Sequence, residues 1–228
     1  MKRKENTVSL SKDSIMHVAL SLIAEKGIDA FSIRDVARNM ETYPSAIYWY
    51  FKNKNALLGG LMSDAMAAVS PQEQSLAWDV WLHQLFYNYR EMVKQRPYMA
   101  ELIGGRLLSN AYQEPALLEG ILGALEQAGF SSKQIVPLYN SVISCMCGFA
   151  SMEFGQLPKE DQTEWEEALR TGAEELSEAS YPHLVKHLPT MLNQAFVLRW
   201  QNGYDNPLDD SFDQYVRIFI DGLKAQRP

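Results

Sequence analysis

Residues 31–58, FSIRDVARNMETYPSAIYWYFKNKNALL, hold side chains whose types and spacing suit a definite chemistry. Arg34 offers a planar fork of donors to a guanine edge or a phosphate. Further on, Pro44-Ser45-Ala46-Ile47-Tyr48-Trp49-Tyr50-Phe51 sets small and aromatic groups around a short helix. Small side chains let such a helix approach base edges, methyls meet thymine methyls, and a cation such as Lys54 meets phosphates. The pattern is that of reading double-stranded DNA in its major groove.

Two short helices joined by a tight turn must position these groups, with a third helix behind them. Ser32 precedes an apolar-periodic run (Ile33, Val36, Ala37, Met40), and Asp35 stands three residues on. That predicts an N-cap with a short-armed capping box. Pro44 suits a helix's first turn, where its missing N–H costs nothing. Ile47 and Phe51 share one face at i, i+4, which leaves Ser45, Ala46, Tyr48 and Trp49 pointing elsewhere. This reads as a helix-turn-helix; a helical hairpin with a solvated aromatic face fits the same residues.

The run Ser32-Ile33-Arg34-Asp35-Val36-Ala37, then Pro44-Ser45-Ala46-Ile47-Tyr48 with Phe51, Lys52-Asn53-Lys54 and Leu57-Leu58, resembles the DNA-binding half of the tetracycline-repressor (TetR) family. Weaker resemblance runs to Phe212 through Asp221-Gly222-Leu223, where Tyr215-Val216 replaces the family's usual first Gly-Leu. The resemblance implies an all-α protein: an N-terminal three-helix helix-turn-helix domain and a larger C-terminal helical ligand-binding and dimerisation domain. It implies a transcriptional regulator, a repressor by family default, acting as a homodimer on a DNA operator and answering to a small-molecule inducer. Ser45, Ala46 and Tyr48 are then expected at base edges, Pro44 in apolar groove contact, and Arg34 on guanine or phosphate. Ser32, Trp49, Tyr50 and Lys54 are expected to hold phosphates, and a Lys2–Lys4 arm to add salt-dependent affinity. The chain departs from the family at the turn, where Glu41-Thr42-Tyr43 stands for Gly-Val-Ser. Glu41 falls at a position often left-handed; either Thr42 caps the next helix or the turn is reshaped. Tyr43 becomes a candidate specificity residue.

The formal charge of −7 divides unevenly: residues 1–60 hold nine Lys/Arg and six Asp/Glu, the remainder twelve and twenty-two. A mildly basic head on an acidic body suits a protein that sets only its N-terminal end against phosphates. No apolar run reaches the roughly 18 residues of a membrane span, and Met1-Lys2-Arg3-Lys4 lacks a signal peptide's apolar stretch, so no membrane partner is expected and the location is read as cytoplasmic. Cys145 and Cys147, two apart in a predicted helix, point to different faces. Buried reduced thiols are the expectation, a redox sensor the alternative.

Apolar spacing is helical almost throughout. A first helix is expected over about Ser11–Lys26 with Gly27 as a left-handed cap, and one from Lys54 to about Val69, capped by Asn53. Pro71 breaks the chain; domains are assigned to 1–58 and 59–228, with helix 54–69 connecting them. A stripe from Trp78 to Met92 stops at Pro97, and further helices are expected near 98–109, 115–128, 134–154, 160–178, 183–201 and 211–225. The Glu-rich stretch Lys159–Glu178 reads as solvated. Helices 134–154 and 211–225 are apolar on more than one face, which means deep core or a face shared with a partner chain. The resemblance makes them a dimer interface through Ile135, Leu138, Val142, Phe212, Tyr215, Val216, Phe219 and Ile220. Trp78, Trp81, Phe86, Tyr89, Met92, Met99, Met146 and Phe149 are either ordinary core or, as the resemblance implies, a pocket for a hydrophobic or aromatic inducer.

An enzyme is the rival class. His183 and His187 stand at i, i+4 between two prolines without the Glu of a metalloprotease motif. No glycine-rich phosphate loop, nucleophile elbow or triad is visible. No metal and no cofactor are expected. A regulator whose core is simply filled, with no inducer, is the other alternative.

Overall fold

The computed structural model describes residues 10–73, 75–96, 98–106 (backbone only for 104–106), 115–155 and 161–228. The Lys2–Lys4 arm and Pro97 lie outside them. Among the described residues every element is helical: α1 (Lys12–Lys26), α2 (Ile33–Asn39), α3 (Pro44–Tyr50), α4 (Lys54–Val69), α5 (Trp78–Gln95), α6 (Tyr98–Arg106), α7 (Pro115–Gln127), α8 (Ser132–Phe154), α9 (Gln162–Glu174), α10 (Pro182–Met191) and α11 (Asp209–Ala225).

Helix starts follow local chemistry. The Ser11 hydroxyl accepts from the Ser14 N–H at 3.1 Å while Ser14 Oγ accepts from the Ser11 N–H at 2.9 Å. Asn53 Oδ1 accepts from the Ala56 N–H at 2.8 Å and starts α4. Gly27 stops α1 with φ of +81°, but its ψ of 163° is extended, so it is not the left-handed helical cap expected. The helix expected over 183–201 is broken. Pro189 stands inside α10, Leu192 turns out of helix, and Asn193 takes a left-handed φ of 59°. Asn193 Oδ1 then accepts from the N–H groups of Trp200 and Gln201, and these side-chain bonds replace the helical ladder.

α1, α2 and α3 close a small head around Ile15, Ala19, Ile23, Phe31, Val36 and Ile47, all buried. α4 belongs to both halves, packing on α1 in the head and on α5, α6 and α7 beyond it. α5 is the central post of the larger half, touching α4, α6, α7, α8 and α11. One close approach sits on it: a Cβ at Gly120 of α7 would lie 2.3 Å from the Trp81 ring, so that indole lies directly on the α7 backbone.

Among the described residues two charged side chains are buried, Glu153 and Arg199. Arg90 of α5 donates from Nε and Nη2 to the two oxygens of Glu153 at 2.7 Å each, and Nη2 also meets Asp209 at 2.7 Å. The Glu153 side chain has no exposed surface and accepts additionally from the Leu208 N–H at 2.8 Å. The guanidinium lies over the Phe212 ring, 4.7 Å from its centre. Three helices are thereby fixed by one fork of charge-assisted bonds.

α8 is long and apolar enough by length and composition to meet the criterion for crossing a membrane, which the search for an unbroken apolar run had missed. It carries Lys133, Gln134, Pro137 and Asn140 near its start and packs on α5, α6 and α7. Both thiols sit in α8, and burial is the main force raising each to about 11. Tyr215 hydrogen-bonds the Cys145 carbonyl at 3.0 Å.

Glu153→Ala leaves Arg90 buried without its main counter-charge, and the expected loss is about 3–5 kcal/mol in urea unfolding. Cys145 and Cys147 should resist iodoacetamide at pH 8 in the native protein and react on unfolding. Fast native modification would restore the redox reading.

Candidate DNA-reading head and effector body

The reading groups are carried on two seven-residue helices, α2 and α3. Helices this short do not stand alone; burial holds them. Ile47 is fully buried and Phe51 is 7 % exposed. Phe51 also abuts α4 at its closest point, where a Cβ added to Gly60 would meet the ring at 3.1 Å. The expected capping box opens α2: the Ser32 hydroxyl accepts from the Asp35 N–H at 3.3 Å, and Asp35 accepts from the Ser32 N–H at 3.1 Å. The hydrogen bond from Ser32 holds the Asp35 carboxyl below its usual range, helped by the charges of Lys26 and Arg38.

The turn is reshaped in an identifiable way. The Thr42 N–H reaches back to the Ala37 carbonyl at 2.9 Å and the Glu41 N–H to Arg38 at 3.2 Å. This pair is a Schellman closure, with Glu41 at the left-handed position where glycine is usual. Its φ is 51°, at a cost on the order of 1 kcal/mol for a side chain. Thr42 does not cap α3. The cap position falls to Tyr43, which makes no side-chain cap bond, forgoing about 1 kcal/mol relative to Ser or Asp. Pro44 at the first helical position removes one of the orphaned donors.

The outward face carries most of the expected readers. Tyr43 is 80 % exposed, Trp49 86 % and Tyr48 47 %, with Arg34 and Ser45 also exposed and Pro44 and Ala46 half-buried. Three expected phosphate anchors are engaged within the head, Ser32 among them, whose hydroxyl donates to Asp35 Oδ2 at 2.6 Å while it caps α2. Tyr50 gives its hydroxyl proton to the Leu10 carbonyl at 2.9 Å, so it cannot donate to phosphate while that bond stands. Lys54 donates to the Asp29 carbonyl at 3.1 Å and lies 4.7 Å over the Phe31 ring. Lys54 thereby holds the α1–α2 connection.

The body corrects one expected grouping. Val142, Phe212, Val216 and Ile220, expected at a dimer interface, are 0 to 6 % exposed within one chain and are core. Ile135, Leu138, Tyr215 and Phe219 are half-buried at its edge. The outward apolar groups of α8 and α11 are instead Val136, Met152 and Ile218, 56 to 65 % exposed. Spacing gives the α11 stripe but not which of its edges stays exposed.

The residues expected to line a pocket are buried. Trp78, Phe86, Tyr89, Met92, Met99, Met146 and Phe149 are buried in one continuous core, with Trp81 packed against it. Of the eight, Phe149 alone lines an open depression of about 680 Å³ between α8 and α11, shared with Met152, Phe196, Gln214, Tyr215 and Ile218. One polar feature stands out in the filled core: the Tyr89 hydroxyl is fully buried and has no hydrogen-bond partner. Burial drives its phenol well above the usual range, and the Cys147 thiol adds to the shift. A thiol is a weak bonding partner. Among the described residues no group of three or more His, Cys, Asp or Glu could hold a metal.

Comparison with known proteins agrees with this architecture. The family described as bacterial regulatory proteins, tetR family, matches residues 15–61, and the tetracyclin repressor-like C-terminal domain matches residues 70–227. The class A tetracycline repressor of Escherichia coli transposon 1721 is 24 % identical over 96 % of this chain and 92 % of its own length. In structure the chain resembles Streptomyces coelicolor ActR (TM-score 0.73, 19 % identity, 95 % and 98 % of the two chains covered). It also resembles Mycobacterium smegmatis BioQ (TM-score 0.65, 20 % identity, 95 % and 99 % covered). The second domain match alone covers more than half the sequence, and the two together frame the head and the body already described. This chain belongs to the tetR family of bacterial regulatory proteins: it is a DNA-binding transcriptional regulator and not an enzyme.

Proposed function

We propose that the protein is a homodimeric repressor that binds a palindromic operator and is released by a small hydrophobic or aromatic inducer. The observation that carries the DNA contact is the outward face of α3. Tyr43, Ser45, Tyr48 and Trp49 stand exposed there next to Arg34, on a head whose other apolar groups are closed away. Arg34 and the 43–48 face supply base contacts, with Trp49 and Lys54 on phosphates. BioQ has been crystallised with its natural double-stranded DNA operator, and the E. coli relatives are repressors by name. Work on chromosomal DNA gives the protein a cytoplasmic location.

Dimerisation follows from the surface of α8 and α11. Val136, Met152 and Ile218 would otherwise stay in water beside an open apolar depression, and a second copy would bury them. A two-fold pair also doubles the bases read, so that one head's few contacts become a useful specificity.

For the inducer, the supporting features are the methionine- and aromatic-rich core and its orphaned Tyr89 hydroxyl, a group a ligand oxygen would satisfy. The ActR relative was solved with (S)-DNPA bound. Release requires a ligand that favours one arrangement of the heads over the other, with α4 in contact with both halves. A regulator with a permanently filled core remains the second reading, favoured by the tight packing of those side chains.

Selection from a random duplex library should return a palindrome bound with strong salt dependence. Arg34→Ala and Tyr48→Ala should each weaken that binding at least tenfold with the dimer intact by light scattering. Ile218→Asp should give monomers and lose palindrome binding. A monomeric wild type that still selects a palindrome would remove the dimer proposal. Thermal shifts across a panel of aromatic compounds, with matched loss of DNA binding, test the inducer; none across the panel would favour the filled-core reading.

A further inference from the structure

We propose that the open depression between α8 and α11 is a binding site for a small organic cation with an aromatic body, separate from the core. Neither the DNA contact nor a core inducer is needed for it.

The depression measures about 680 Å³, a volume within the range of small-molecule sites. Phe149 and Met152 of α8, Phe196, and Tyr215 and Ile218 of α11 form its apolar walls. Three of these are rings set at different angles. Phe196 crosses Phe149 at 74° with centres 5.0 Å apart, and Tyr215 is tilted to Phe149 by 37° at 5.3 Å. Such rings wall a space on more than one side and suit a flat apolar body. The Tyr215 hydroxyl proton is spent on the Cys145 carbonyl at 3.0 Å, so it is not free for an acidic ligand.

The charge at the site is negative. Asp210 lines the depression, and among the described residues no Lys, Arg or His does. Its neighbours in early α11 are engaged: Asp209 meets Arg90 Nη2 at 2.7 Å, and Asp213 accepts from the Tyr87 hydroxyl. Asp210 makes no ion pair or side-chain hydrogen bond among the described residues. The same aromatic cluster already takes a cation on its inner side. There the Arg90 guanidinium lies 4.7 Å over the Phe212 ring, beside Asp209, and Phe212 packs against Phe149 at 5.2 Å. On the outer side, Phe149, Phe196 and Tyr215 stand with Asp210 and no cation of the protein's own. Ring and carboxylate act together on a positive ligand, whereas an anion there meets only repulsion.

The test is calorimetric titration of the full-length protein with naphthylmethyl-trimethylammonium, which should bind saturably. Naphthylmethanol, the same ring without the charge, should bind about tenfold more weakly or worse, and naphthylacetate should not bind. Asp210→Asn should reduce the ammonium to the affinity of the alcohol. Asp221→Asn, equally exposed on α11 but outside the depression, should change nothing. Phe196→Ala should weaken both ligands. Tyr89→Phe, in the core, should leave the titration as it is. Equal affinity for ammonium and alcohol, or an Asp210→Asn variant that keeps the preference, overturns the proposal. So does loss of binding in Tyr89→Phe, which would put the cation in the core. Binding that disappears as the protein is concentrated would give the depression to a second copy instead, and overturns it too.

Discussion

The seating of α3 is the constraint on which the rest depends. Seven residues form too few helical bonds to persist in water, so the reading face exists only while Ile47 and Phe51 stay buried. Phe51 has a second duty, because its ring lies against the Gly60 backbone of α4. The side chain that stabilises the reader is thus also the one in contact with the connecting helix. A shift of α4 relative to the head must either carry Phe51 along or open a void under α3. Packed interiors respond to such demands by moving as units rather than by stretching.

The body is organised around α5 in a comparable way. Its apolar stripe serves α4, α7 and α8, and its half-buried Arg90 fastens α8 and the start of α11 through Glu153 and Asp209. That fork holds α8 and α11 on the same post with an open depression between them. Aromatic rings line the seam: Phe149 lies 5.2 Å from Phe212, 5.3 Å from Tyr215 and 5.0 Å from Phe196. The bundle is complete toward α5 and unfinished on the opposite side.

Much of this was legible in the sequence, and the failures have physical reasons. The caps at Ser32 and Asn53, the left-handed Glu41 and the apolar phase of α5 are local properties, set by residues within a turn or two. The end of α10 was not, because Asn193 is held by Trp200 and Gln201, partners that periodicity does not connect. Tyr50 and Lys54 were assigned to phosphates by position, whereas their partners Leu10 and Asp29 lie 40 and 25 residues away. The interface expected through Val142, Phe212, Val216 and Ile220 failed for the same cause, since all four turn inward. A stripe read from sequence says that a face is apolar, and only packing says whose face it meets.

The outward turn of α3 gives the molecule an optical asymmetry. Of its five tryptophans, Trp78 and Trp200 are buried and Trp81 and Trp165 are half-covered, while Trp49 is open to water. The red edge of the emission spectrum therefore originates in α3, and the blue edge in the body. Occupation of the head and repacking of the core would register as separable changes in one unlabelled spectrum, at opposite ends of the band.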